Sequence, residues 1–207
     1  MAPLHKPKSA SVRPAFLPAH EPLSIMDAIY SRRTVRHFTG DEVPEAALHA
    51  LLYAAVQAPT VVAGDVWGFA VIQDRRVLKT LSDDAGRLYR GGDAPALKAS
   101  AVEGEGYFNI FFNAPALVII YGNMEQPFSQ ADCWLAAENL MLAACGMGLG
   151  SCVIGLAVDV LGTVEWKTRL DIPPEMTAVA PIVLGYPAKG SDPVLRPPPN
   201  VLSWLRN

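Results

Sequence analysis

Between Ala131 and Cys145 the chain is apolar at nearly every position, broken by Asp132, Glu138 and Asn139. Good helix formers fill the run and neither Pro nor Gly interrupts it, so the pattern predicts a helix. A surface helix shows one apolar stripe, whereas this one is apolar almost all round and should be covered on most sides. Two readings follow: a central core helix, or a core helix that also meets its twin across a dimer interface. Asp132, Glu138 and Asn139 argue against a membrane span, which needs about 20 residues with few or no charges. Ser129 is the predicted N-cap, with Asp132 three positions on in the manner of a capping box. Gly146 and Gly148 close the helix, and Ser151–Ile154 follow as a short strand.

Other runs carry shorter periods. Ser24–Arg33 reads as a helix capped by Ser24, with Ile25 and Ile29 on one face. The β-branched Thr34 and Val35 then predict extended chain to Phe38, and Thr39-Gly40-Asp41 a turn. Pro44 opens a helix with Leu48, Leu51, Leu52, Ala55 and Val56 on its apolar face, ended by Pro59. Trp67–Ile72 is a predicted strand and Arg75–Leu81 a short helix. In 82–106 Gly and Asp break every period, which predicts a long connection, either a lid or a disordered segment. Tyr107–Phe112 is aromatic and reads as a short helix over an apolar pocket. Ala116–Tyr121 is a strand, Val160–Leu170 a helix and Thr177–Leu184 the last strand. Pro181 inside that strand points to an edge or a bulge. The tail, with Pro197–Pro199 followed by Val201, Leu202, Trp204 and Leu205, is expected to be docked. Residues 1–22 are Pro-rich and read as a disordered arm, or as an arm laid across a partner subunit; 23–207 form one domain, with a C-terminal arm over about 188–207.

Composition narrows the class. The 207 residues are 51% hydrophobic with net charge −3. Bulk electrostatic binding to nucleic acid or anionic lipid is therefore not expected, and any phosphate site must be a local basic cluster. Cys133, Cys145 and Cys152 are odd in number and lack paired metal spacing, which fits buried thiols in a reducing cytoplasm. No apolar signal segment precedes them. The four histidines show no metal spacing, no G-x-S-x-G elbow occurs, and the glycines of 146–150 close a helix where a dinucleotide fingerprint would open one. No metal, membrane or nucleic-acid partner is expected.

Arg32, Arg33 and Arg36 surround Thr34 where a helix gives way to extended chain. Guanidinium groups grip phosphate in a bidentate fork and a hydroxyl adds a donor. Cations at a helix C-terminus are also favoured without any ligand, so a solvated helix end is the other reading.

The run Arg32-Arg33-Thr34-Val35-Arg36-His37-Phe38 resembles the opening R-R-S-x-R-x-F signature of the FMN-dependent nitroreductase family. Ala58-Pro59-Thr60 with Trp67-Gly68-Phe69, the central helix with Gly148-Leu149-Gly150, and the ending Val183-Leu184-Gly185-Tyr186-Pro187 are similar to later family segments, in the family's order from about Leu23 to Arg196. The resemblance implies an α+β fold with a mostly antiparallel central sheet flanked by helices, an intertwined homodimer, and FMN at the subunit interface. It implies that Arg32, Arg33 and Thr34 hold the FMN phosphate and ribityl chain. Arg36 would reach the pyrimidine edge, and Ile154 and Gly155 would lie beside N5. Arg196 would return to the phosphate, and Pro59 and Thr60 would come from the other subunit. The activity implied is reduction of a nitroaromatic, quinone or similar flat acceptor by NADH or NADPH, with the flavin and no protein nucleophile carrying the chemistry. A flavin-consuming or dehydrogenating branch, and a flavin-binding or regulatory protein without turnover, are the alternatives. One departure stands out: the family has N-x-Q-P before the Trp, and this chain has Ala63-Gly64-Asp65-Val66. Asp65 would oppose negative charge on the reduced ring unless it turns outward or pairs with a cation such as Arg36.

Overall fold

The computed structural model describes residues 23–61, 67–89, 109–190 and 194–206. The arm 1–22, the Ala63–Val66 departure with Asp65, residues 90–106 of the expected lid, and Tyr107 and Phe108 of the aromatic segment lie outside the described residues.

Four strands form one antiparallel sheet: β1 (Trp67–Ile72), β2 (Ala116–Asn123), β3 (Gly150–Val153) and β4 (Met176–Gly185), in the order β1-β2-β4-β3. Strand β2 is apolar without alternation because both its faces are covered. Val118 and Ile120 face one helical layer, α2 (Glu45–Ala55) and α4 (Ser129–Gly146). Leu117, Ile119 and Tyr121 face the other, built from α3 (Arg75–Tyr89), α5 (Val158–Leu161) and α6 (Val164–Arg169). The α+β class and the antiparallel sheet flanked by helices are as the resemblance implies.

Helix α1 (Ile25–Ser31) is capped by Ser24, whose hydroxyl accepts from the Asp27 N–H at 3.1 Å. Pro44 immediately precedes α2, and Leu48, Leu51 and Ala55 are buried, but Val56 closes the helix and is exposed. Helix α4 lays Cys133, Ala136, Ala137, Leu140 and Ala144 on the core, with small alanines allowing close approach. Its other side is open in the single chain: Trp134 is 42% and Leu135 46% exposed. At its end Gly148, at φ 76°, takes the left-handed position, and the Leu149 N–H closes back on the Ala144 carbonyl at 2.8 Å. Among the described residues no helix is long and apolar enough to cross a membrane.

Several expectations are corrected. Ser129 does not cap α4: Phe128, at φ 65°, occupies that position without a side-chain cap bond, and Ser129 is buried against Gly122. Helix α3 does not stop at Leu81 but runs to Tyr89. Leu78, Leu81, Ser82, Ala85 and Gly86 keep a helical period inward, and Asp83, read as a breaker, pairs with Lys79 at 2.6 Å on the outside. Asp84 accepts from the Trp166 indole at 2.9 Å and Tyr89 donates to Asp159 at 2.6 Å, which ties the α3 end to α5 and α6. Within the aromatic segment, 110–113 form a turn with Phe112 and Asn113 at positive φ, not a helix. Val160–Leu170 is two short helices, with Gly162 ending α5 and Thr163 capping α6.

Pro181 lies in an internal strand, so the edge reading fails. The bulge reading finds an irregularity next to it, between Ile120 and Tyr121 of β2. Pro181 is tolerated because β3 pairing ends at Val153↔Ile182 and its carbonyl serves the Ile154 N–H at 2.8 Å. A strand residue's N–H and C=O share a side, so the missing donor falls where β3 has already left. Past Arg196 the tail is not docked on its own chain: 197–206 run without regular structure, and Leu202 and Leu205 stand in solvent.

Candidate functional site

The C-terminal end of α1 delivers the site. The chain leaves the helix at Arg32 in an extended conformation, φ −55° and ψ 129°, and is stitched to the sheet in sequence. Thr34 bridges Ser151 in parallel and the Val35 N–H donates to the Ser151 carbonyl at 2.9 Å. Phe38 bridges Pro187, and the Thr39 N–H reaches the Tyr186 carbonyl at 2.9 Å. Val35 is buried on Gly150 so closely that a Cβ there would lie 2.7 Å from Val35 Cβ. Gly150 thus sets how near this segment lies to β3, and with Val35 turned in, its polar neighbours are left at the surface.

They line a cavity of about 450 Å³ with Arg32, Arg33, Thr34, Arg36, His37, Lys189 and Arg196 on its walls, and no carboxylate among the described residues. Arg33 donates to the carbonyls of Tyr30 at 2.7 Å and Arg32 at 2.8 Å, which caps the end of α1. Arg32 lies 4.0 Å from Glu138 of α4. The Arg36 guanidinium stands 5.8 Å from the Phe112 ring centroid and beside the Cys152 thiol. Burial raises that thiol, and Arg36 offsets part of the rise, so Cys152 is a protonated thiol at neutral pH.

Five of the nine residues singled out from sequence therefore share one cavity: Arg32, Arg33, Thr34, Arg36 and Arg196. Ile154 and Gly155 follow β3, which Thr34 bridges. Ile154 is buried and its N–H is taken by Pro181. Gly155 opens a 3-10 turn and is exposed; its N–H has no described backbone acceptor outside that turn, and a Cβ on it would meet nothing within 4 Å. Of the pair, Gly155 is the one with a donor to offer. Pro59 and Thr60 are not brought to the cavity of their own chain. The Val61 N–H next to them approaches Asp132 at 3.4 Å, at the first turn of α4, whereas Ser31 approaches Cys145 at 3.4 Å in the last turn. Thirteen helical steps separate Asp132 from Cys145, about 20 Å.

Sequence reasoning passed over Lys189, His37 and Phe112. Lys189 is brought in by the sheet: after β4 the Ala188 N–H donates to the His37 carbonyl at 3.0 Å. Its only forewarning was position, two residues beyond the Gly185-Tyr186-Pro187 ending.

Comparison with known proteins places the chain in a family. A model of the Nitroreductase family matches residues 29–186. Protein DrgA of Synechocystis sp. is 31% identical over 143 residues, spanning 61% of this chain and 68% of its own. A protein of Methanothermobacter thermautotrophicus, provisionally named NADH dehydrogenase/NAD(P)H nitroreductase, is 28% identical over 174 residues, 81% of this chain and 79% of its own. Among solved structures, a nitroreductase with bound FMN from Bacteroides fragilis superposes with a TM-score of 0.73 at 26% identity, covering 89% of this chain and 98% of that one.

Proposed function

The chain belongs to the nitroreductase family, and from that membership we propose a cytosolic, homodimeric FMN-dependent oxidoreductase that uses NADH or NADPH to reduce a flat acceptor such as a nitroaromatic or quinone. The observation that carries the reading is the cavity lined by four arginines, a lysine and a threonine with no described carboxylate, on the segment that bridges β3 at Ser151, four residues before Gly155. That donor set fits a phosphate ester, and an open backbone N–H fits a ring nitrogen acceptor. Arg32, Arg33, Thr34 and Arg196 would hold the phosphate and ribityl chain, Arg36 the pyrimidine edge, and Gly155 would donate its N–H at N5. When bound, FMN supplies two-electron redox chemistry that no side chain here can perform. The protein's share is position and charge. Arg36, steadied by Phe112 and Cys152, places a cation where negative charge is favoured, and the buried β3–β4 pairing keeps the Gly155 N–H fixed.

Homodimerisation is part of the proposal. Helices α1 and α4 pack together and expose Ile25 (71%), Tyr30 (70%), Trp134 and Leu135, an apolar surface that a lone chain would leave in water. Two copies of α4 packed antiparallel would set Pro59 and Thr60 of one against the cationic end of the other. The three cysteines, free among the described residues, suit a reducing compartment.

The test is spectroscopic. Purified protein should show flavin absorption, release FMN on denaturation, and bleach anaerobically with NADPH, recovering in air. Flavin that binds tightly but does not bleach would instead identify a binding protein without turnover.

A further inference from the structure

The cavity carries more positive charge than a cofactor phosphate requires. Arg32, Arg33, Arg36, Arg196 and Lys189 are five permanent cations on one wall system, and Glu138, 4.0 Å from Arg32, is the one described acidic ion-pair partner among them. A phosphate monoester brings about two negative charges at neutral pH. Among the described residues, with Arg36 turned to the flavin ring edge, about one positive charge remains, and Lys189 is the cation with no role so far. Lys189 is exposed on the cavity wall, and an unassigned cation there suits a second anionic ligand.

The surplus has a place. Arg32 and Arg33 are held at the α1 end, one by Glu138 and the other by the Tyr30 and Arg32 carbonyls. Lys189 and His37 are held at the opposite end, where Ala188 pairs with His37 and Pro187 with Phe38. The intervening chain is extended, and five residues at about 3.3 Å each put the ends up to about 16 Å apart along the backbone. The two ends therefore offer their cations at separate points along the cavity.

We infer that the cavity is a trough with two anion subsites: the Arg32–Arg33 end takes the cofactor phosphate, and the His37–Lys189 end takes the phosphate-bearing half of the dinucleotide donor. This rests on the FMN reading above and adds a residue role to it. Lys189 is a donor-recognition residue, and its ammonium meets either the diphosphate or the 2′-phosphate.

The test uses FMN-loaded protein and redox-inert fragments. Calorimetry would measure ADP-ribose, which carries the diphosphate, and 2′-phospho-ADP-ribose, which carries both groups, against wild type and Lys189→Ala. The expected result is a loss of about tenfold for at least one fragment, the worth of one charge-assisted hydrogen bond. Restoration is expected in Lys189→Arg. Loss for both fragments alike assigns the diphosphate, and loss confined to the second assigns the 2′-phosphate. In turnover, the ratio of KM for NADPH to KM for reduced N-benzylnicotinamide, a donor without phosphate, should rise by a similar factor. FMN affinity is titrated separately on the same variants. Unchanged fragment binding with FMN retained would overturn the second subsite alone. A fall in FMN affinity matching the fall in fragment affinity would also overturn it, placing Lys189 at the cofactor phosphate. Absence of FMN from wild type would overturn the underlying reading instead.

Discussion

The two ends of α4 differ in kind. At its first turn a buried carboxylate, Asp132, faces the Val61 N–H and so fixes the end of the Pro59–Thr60 turn. From its middle to its last turn Glu138 and Cys145 meet Arg32 and Ser31, and the cationic cavity lies beside them. Both arrangements suit the helix dipole, anion at the N-terminus and cations at the C-terminus. On the dimeric reading proposed above, the Pro59–Thr60 end of one copy would meet the cationic end of the other. A single chain cannot join them across about 20 Å, and a second copy running the other way can.

The strongest way to break this picture is to stop the copies meeting. Trp134→Asp together with Leu135→Arg should convert a particle of twice 22.2 kDa to one of 22.2 kDa by light scattering. FMN affinity should fall by roughly 30-fold or more, the scale of an interface hot spot. A monomer that still binds FMN tightly would show the cationic end to be self-sufficient. Next in size, Arg32→Ala should weaken FMN binding about tenfold and make it less salt-sensitive, as expected for one charge-assisted bond. Fluorescence titration at two ionic strengths checks both parts. Arg36→Ala should lower the flavin midpoint potential by about 30 mV, equivalent to a coupling of ~1.4 kcal/mol; spectroelectrochemistry reads it directly. At the other end of α4, Asp132→Asn keeps the shape and removes the charge, so the loss of FMN affinity should be smaller, about fivefold or less. An effect larger than that of Arg32→Ala would reverse the ranking of the two ends.

The smallest effect concerns pH. Burial above all, with the Asp132 charge adding, pushes the Cys133 thiol from 9.0 up to about 11. Below pH 9 the thiol is protonated folded and unfolded, and nothing is lost. Between 9 and 11 the unfolded chain ionises first, so stability falls as pH rises. Urea melts at pH 8 and 10 should show that fall, and Cys133→Ala should show less of it.

Much of this was readable in advance because the signals were local. The apolar runs of β2 and β4 and the Ser24 cap depend on neighbours in sequence. So does the Arg32–Arg36 cluster, which needs only the end of α1 to be presented. What was missed depends on which partner a side chain or strand meets, near or far in sequence. Asp83, Asp84 and Gly86 look like helix breakers until Lys79 and Trp166 are seen to use the carboxylates. Ser129 looks like a cap until Gly122 is found beneath it. Lys189 enters the cavity through a backbone pairing with His37, 152 positions earlier in the chain, which no local pattern encodes.

The strand order has a consequence for how the protein is made. Strand β4 is the last in sequence yet lies inside the sheet, between β2 and β3. While the chain emerges from the ribosome, β2 carries an unpaired apolar edge until residues 176–185 arrive, and the cavity waits longer still for Lys189 and Arg196. Synthesis therefore completes the proposed flavin site only after the whole sheet has been made. A chain stalled before residue 176 would expose an aggregation-prone edge with no pocket to fill, so on the proposed reading cofactor loading would report on chains carried past Arg196.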